Sequence, residues 1–256
     1  MILLSRTERL VLYAALMLAS AAAWSVTWLQ SSNLSPLNPF LARVWCGGAW
    51  GMSGIASSFV MWFAMMTGMM LPAVAPTIDA FATIARRRHA RGAPYTPTII
   101  FAIGYCLAWS AFSAAAATVQ WQFYRTVLLD PTTQNVSPIL AGAALLMAGL
   151  YQFTPLKIAC LRGCRSPLSF IIAEWRDGHI GALLMGVRHG AICVGCCWAT
   201  MSLMFCVSMM DLRWAAALAV YAAAEKLLPG GDTIVAPAFG SAAILGGAAL
   251  IGLAFL

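Results

Sequence analysis

Three thiols and an imidazole fall within nine residues of this chain, in Arg188-His189-Gly190-Ala191-Ile192-Cys193-Val194-Gly195-Cys196-Cys197-Trp198. Thiols in such an apolar run serve as plain core, a disulfide source, a redox couple or ligands for a soft metal. A lone cysteine in a membrane helix usually behaves as a small hydrophobe. Three within five residues, behind a histidine one turn earlier, fit a metal-ligand cluster better. Residues at i, i+3, i+4 and i+7 share a helix face. His189, Cys193, Cys196, Cys197, Thr200 and Met204 therefore form one stripe, with Cys206 and Met209 off it.

Three further groups could join this chemistry. Cys160-Leu161-Arg162-Gly163-Cys164 is a second thiol pair, and Arg162 and Arg165 beside it favour thiolates. Glu225 is a carboxylate within a turn of an apolar segment, costly there unless paired. Lys226, roughly 100° around the helix from it, is expected to snorkel outward while Glu225 faces inward. Met61, Met65 and Met69 follow one i, i+4 line, and Met66 and Met70 another. Methionine is ordinary core filler, but thioethers, like thiolates, also suit Cu(I). Cys46, Cys106 and Cys206 lie apart and read as structural.

The chain that must position these groups has 256 residues, 62% hydrophobic and 9% charged. Soluble domains carry roughly a quarter charged residues, so the composition points to an all-α, polytopic transmembrane bundle in a single domain, residues 1–256. A spanning helix needs about 20 apolar residues. Seven stretches qualify or come close: Leu10–Leu29, Ile55–Val74, Thr98–Thr118, Ser137–Thr154, Gly190–Met210, Trp214–Leu228 and Ala236–Leu256. The first exceeds the roughly 7–15 apolar residues of a signal peptide and reads as a retained helix. Gln30–Gly54 reads as an irregular interfacial segment holding Trp45 and Trp50. Residues 155–189 read as a polar, Cys-containing connection, with a short interfacial helix over Leu168–Trp175.

Charge orients the bundle. With the N-terminus cytoplasmic, only Arg43, Arg125 and Arg213 of the fifteen basic residues fall outside. The cytoplasmic side is where membrane proteins collect Lys and Arg, and that accounts for the net charge of +7 without a nucleic-acid partner. Cys160, Cys164, His189, Cys193, Cys196, Cys197, Glu225, Met69 and Met70 then all map near the cytoplasmic face, where thiols stay reduced. Spans two, four and six each meet a proline near the inner end, Pro72, Pro155 and Pro229. A triplicated hairpin would give that pattern; so would the common placing of proline after helix ends. Phosphate loops, zinc-protease helices and serine–base arrangements are absent, and the basic run lacks the aromatics of a nucleic-acid platform.

The motifs resemble a bacterial family of predicted metal-binding integral membrane proteins whose function is unassigned. The residues that carry the resemblance begin with Met61-Trp62-Phe63-Ala64-Met65-Met66, Pro72 and Pro76. They continue with Gly149, Tyr151-Gln152, Thr154-Pro155-Leu156-Lys157, Cys160, Cys164-Arg165, Pro167, Gly195-Cys196-Cys197-Trp198, Glu225-Lys226 and Pro229. One departure is Met210-Asp211, where the family leads one to expect Met-Asn. The resemblance implies metal binding in a bacterial inner membrane and no settled reaction.

The leading expectation is a soft-metal site, copper before zinc, held by Cys160, Cys164, Cys193, Cys196 and Cys197. His189, Glu225, Met69 and Met70 would be added ligands or neighbours. Two alternatives stand beside it: a membrane thiol–disulfide oxidoreductase cycling Cys160/Cys164 and Cys193/Cys196, and a non-catalytic accessory subunit. Small-residue runs such as Ala114–Ala117 would seat a membrane-protein partner of such a subunit.

Overall fold

A computed structural model describes residues 5–31, 52–125, 137–205 and 212–255, and within them the regular structure is helical. The α-helices there are α1 (Arg6–Ser31), α2 (Met52–His89), α3 (Thr98–Arg125), α4 (Pro138–Tyr151), α5 (Pro155–Arg165), α6 (Pro167–Ala173), α7 (Gly178–Ser202), α8 (Leu212–Leu227) and α9 (Ala236–Leu253). A 3-10 turn, Leu203–Phe205, follows α7, and a π turn, Gly231–Val235, leads into α9. Trp45, Trp50, Cys46, Cys206 and Asp211 lie outside the described residues.

Local chemistry explains several boundaries. Ser137 and Thr154 cap α4 and α5 by accepting from the Leu140 and Lys157 amides, each at 3.3 Å. Proline opens α4, α5 and α6, a position where its missing N–H costs nothing.

The second span runs further than the sequence suggests. Pro72 gives no hydrogen bond to the carbonyl four residues back, which is that of Gly68. Ser20 of α1 supplies it instead, donating from Oγ to Gly68 O at 2.7 Å. With that carbonyl satisfied, and Ile78 and Phe81 buried beyond it, α2 continues through Pro72 and Pro76 to His89. Arg9–Asp79 at 3.3 Å and the Arg86–Glu8 ion pair fix α1 antiparallel along it.

Small residues set the closest crossings. α3 and α7 run parallel so tightly that a Cβ on Gly186 would lie 2.1 Å from the Phe101 carbonyl, and one on Gly104 2.3 Å from that of Leu183. α4 and α9 meet antiparallel, Gly149 against Gly240 and Gly142 against Gly247. The main core lies between α2, α3, α7 and α8, where Trp62, Met66, Met70, Tyr105 and Trp109 are buried.

Three features depart from expectation. Among the described residues, five helical segments are long and apolar enough to cross a membrane: α1, α2, α3, α7 with its 3-10 turn, and α9 with its π turn. α4 and α5 qualify only jointly and are bent by 66°. α8, the expected sixth span, has 16 residues, about 24 Å at 1.5 Å per residue, against roughly 30 Å of hydrocarbon.

Residues 155–189, read as a polar connection, are instead helical for most of their length, with the short helix at Pro167–Ala173. α7 begins at Gly178 rather than Gly190 because its first turns are packed, Gly186 and Gly190 against α3. His189 and the cysteines after it consequently stand in the middle and second half of α7, away from its edge.

Candidate metal centre

The α7 stripe faces inward as its spacing requires: His189, Cys193, Cys196, Cys197, Thr200 and Met204 are all buried. α5 crosses this face and brings Cys164 onto it. The Sγ atoms of Cys164, Cys193 and Cys196 lie within 4.8 Å of one another, with Cys164 and Cys196 at 3.6 Å. Sulfurs bound to one ion at about 2.3 Å stand roughly 4 Å apart, so the trio needs only small shifts to share a metal. Among the described residues it is the one such group of His, Cys, Asp and Glu atoms.

The remaining thiols flank it. Cys197 donates back to the Cys193 carbonyl at 2.8 Å, and Cys196 approaches the same carbonyl at 3.1 Å. Cys160, half-buried, lies against Gly195 so closely that a Cβ there would be 2.9 Å from its Sγ. Cys106 is on α3, half-buried and outside the Cys164, Cys193 and Cys196 group.

His189 has aromatic neighbours. Its ring sits among Phe170, Phe101 and Tyr105, at centroid distances of 4.8, 6.1 and 6.1 Å. Its Nδ1 is buried without a partner, and the ring is outside the thiol trio. Met69 is core.

Lys226 departs most clearly from expectation. It does not snorkel outward. The side chain is 7% exposed, and Nζ lies 3.0 Å from Cys193 Sγ, 3.6 Å from Cys197 Sγ and 3.2 Å from Met70 Sδ. At the end of α8, Glu225 and Lys226 are both buried, while Leu227 and Leu228 after them are 49% and 51% exposed. Tyr105 closes this side, its hydroxyl 3.2 Å from Cys193 Sγ.

Glu225 has the partner its cost demands. Lys157 Nζ meets Glu225 Oε1 at 2.7 Å with both side chains wholly buried, and Tyr221 donates to the same oxygen at 2.7 Å. Lys157 also donates to the Cys196 carbonyl, tying the ion pair to the cysteine helix. Gln152 extends the network by donating to Thr200 Oγ1 at 3.0 Å, while its Oε1 lies 3.4 Å from the Tyr221 hydroxyl.

Arg165 caps the α8 end, donating to Glu225 O at 2.6 Å and Leu228 O at 2.9 Å. Gly231 allows this, since a Cβ there would lie 2.0 Å from Glu225 O. The residues ahead of the three inner prolines thus converge: Met70 on Lys226, and Gln152 and Glu225 on Tyr221.

Sequence reasoning passed over Lys157, Tyr105, Tyr221 and the inward Lys226. One signal for Lys157 was present: Lys157, Cys160, Leu161 and Cys164 share an α5 face by the same spacing rule, and Glu225 required a cation. Tyr105 and Tyr221 carried no such signal.

A family model described as a copper chaperone, PpoB2, matches residues 59–250, three quarters of the chain. The match takes in every residue of this centre. No curated protein and no solved structure matches the chain.

Proposed function

The chain belongs to the PpoB2 family of copper chaperones, and from that premise we propose that it is a membrane-embedded helical bundle that holds Cu(I) and passes it on. The observation that carries this reading is the meeting of Cys164, Cys193 and Cys196 within 4.8 Å. Three thiols with a methionine nearby form a soft donor set, suited to Cu(I). A structural zinc site takes four N, S or O ligands, whereas three meet within 4.8 Å here. The ion is cargo in this reading, so the site has to release it as well as hold it.

Charge supports the assignment. Taking Cu(I) from water into a buried site is costly unless the local charges balance. Three thiolates and the ion carry −2, which the Lys226 ammonium halves to −1, while Lys157 and Glu225 neutralise each other. Cys160, half-buried at the α5 edge, is where an incoming sulfur of a partner would take over a ligand. The basic residues and apolar helices favour a bacterial inner membrane with the N-terminus cytoplasmic. α8 and the bent α4–α5 pair would then be partial or broken spans lining the site, giving seven in all.

The test is Cu(I) bound per purified chain, comparing wild type with Cys164→Ser/Cys193→Ser/Cys196→Ser. One equivalent lost in the triple variant supports the reading; equal, negligible copper in both contradicts it. A second reading, thiol–disulfide exchange, is favoured by the 3.6 Å between Cys164 and Cys196 sulfurs, and a disulfide that cycles with turnover would establish it.

A further inference from the structure

Cys197 and the methionines of α2 have no part in the thiol trio, yet sulfur gathers about a second point beside it. Lys226 Nζ lies 3.0 Å from Cys193 Sγ, 3.2 Å from Met70 Sδ and 3.6 Å from Cys197 Sγ. The Tyr105 hydroxyl approaches the same Cys193 sulfur at 3.2 Å. All of these side chains are buried. Sulfur is a weak hydrogen-bond acceptor, so three sulfurs serve an ammonium poorly. Two thiols and a thioether are instead the donors that select Cu(I). Metal–sulfur bonds of about 2.3 Å would need each sulfur to close in by roughly 1 Å, and methionine is flexible enough to follow.

Sulfur continues beyond this point. α2 and α7 face each other antiparallel, with Met70 at the level of Cys193 and Cys197. About two turns further along each helix, Trp62 meets Phe205 with ring centroids 4.8 Å apart. Met66 and Met201 stand midway between these levels, both wholly buried in the same core. Trp62 Nε1 donates to Gln120 Oε1 at 2.8 Å, which holds the indole across the far end. Methionine alone reads as core filler. Packing, however, does not call for a charged side chain among thioethers and thiols.

We propose that Cys193, Cys197 and Met70 form a second Cu(I) seat that shares Cys193 with the trio, the Lys226 ammonium standing where the ion would. Met66 and Met201 extend the seat away from Cys164. The ion moves between the two seats by ligand exchange. A bond to Met70 Sδ forms as the bond to Cys164 Sγ breaks, Cys193 stays bound, and the copper remains Cu(I) throughout. Lys226 swings aside on its flexible four-carbon stem. The second seat rests on the copper reading of the trio and gives that cargo a further station.

The experiment titrates selenomethionine-labelled full-length protein in detergent with Cu(I) alone, under anaerobic reducing conditions. Native mass spectrometry counts the bound ions, and X-ray absorption at the copper edge separates selenium from sulfur neighbours. The first ion is expected to show sulfur only, and the second to add a selenium neighbour. Met70→Leu nearly conserves volume and so leaves the fold standing. It should remove the selenium neighbour and lower the bound copper from two ions to one, the retained ion reporting a folded protein. Cys197→Ala should also lose the second ion. Met147→Leu, at an exposed position on α4, is the control and should change neither reading.

A selenium neighbour that survives Met70→Leu overturns the second seat, as does wild-type binding that stops at one ion held by sulfur alone; the trio stands in either case. No copper bound at any ratio would sink the metal reading itself, and the second seat with it.

Discussion

Lys226 Nζ lies 3.0 Å from Cys193 Sγ, which puts a buried ammonium against a thiol that also belongs to the group formed with Cys164 and Cys196. In a buried site the ammonium supplies the positive charge that balances thiolates once Cu(I) has entered. Breaking such a pairing by removing one partner leaves an uncompensated charge. Lys226→Met is expected to weaken Cu(I) at least tenfold in competition with a chelator, and Lys226→Arg to recover most of it. Unchanged affinity in the Met variant would remove Lys226 from the account.

The Lys157–Glu225 pair has a structural consequence of its own. Removing one partner of a buried ion pair costs about 3–5 kcal/mol, while replacing both with apolar residues is far milder. Lys157→Met or Glu225→Leu alone should therefore destabilise strongly, and Lys157→Met/Glu225→Leu less than the sum. Denaturation midpoints of the four proteins in detergent would show it. Additive losses would mean that the two groups do not act as a pair.

The 3.6 Å between Cys164 and Cys196 sulfurs makes them the pair most open to oxidation. Treating the copper-free protein with a mild oxidant should join these two, detectable by peptide mapping, and Cu(I) loaded first should protect them. Equal oxidation with and without Cu(I) would place the metal elsewhere.

The parallel crossing of α3 and α7 depends on absent side chains. A methyl group at Gly186 would sit 2.1 Å from the Phe101 carbonyl, and overpacking of this kind costs roughly 1–3 kcal/mol. Gly186→Ala should lower the melting temperature and weaken Cu(I), because Tyr105 and Cys193 sit just beyond that contact. Gly246→Ala, with nothing within 4 Å of the new methyl, is the control and should be neutral or slightly stabilising.

These positions also mark what the sequence made legible. The inward stripe of α7 follows from spacing alone, and the joining of Cys164 to Cys193 and Cys196 follows from expecting soft ligands at one depth. Helix bounds were harder. Pro72 looked like a stop, and only the Ser20 hydroxyl of another helix, supplied to Gly68 O, lets α2 pass it. Residues 178–189 were read as part of the polar connection that holds Lys157, Arg162, Arg165, Glu174, Arg176 and Asp177, whereas Gly186 and Gly190 in it pack against α3. His189 shares the cysteine stripe, yet one helix cannot reveal that Phe170, Phe101 and Tyr105 surround its ring. Lys226 misled because snorkelling presumes that this residue lies on the outward side of α8, whereas Leu227 and Leu228 take that side and Lys226 is buried.

The central claim is that copper rests on sulfur from Cys164, Cys193 and Cys196. X-ray absorption spectroscopy of the Cu(I)-loaded protein reads the coordinating atoms directly. The account predicts an all-sulfur shell of three, falling to two or losing copper in Cys164→Ser. That loss should be at least the 10–100-fold in affinity that removal of a mere outer-shell partner brings. A shell containing nitrogen from His189, or a three-sulfur shell that survives Cys164→Ser unchanged, would contradict it.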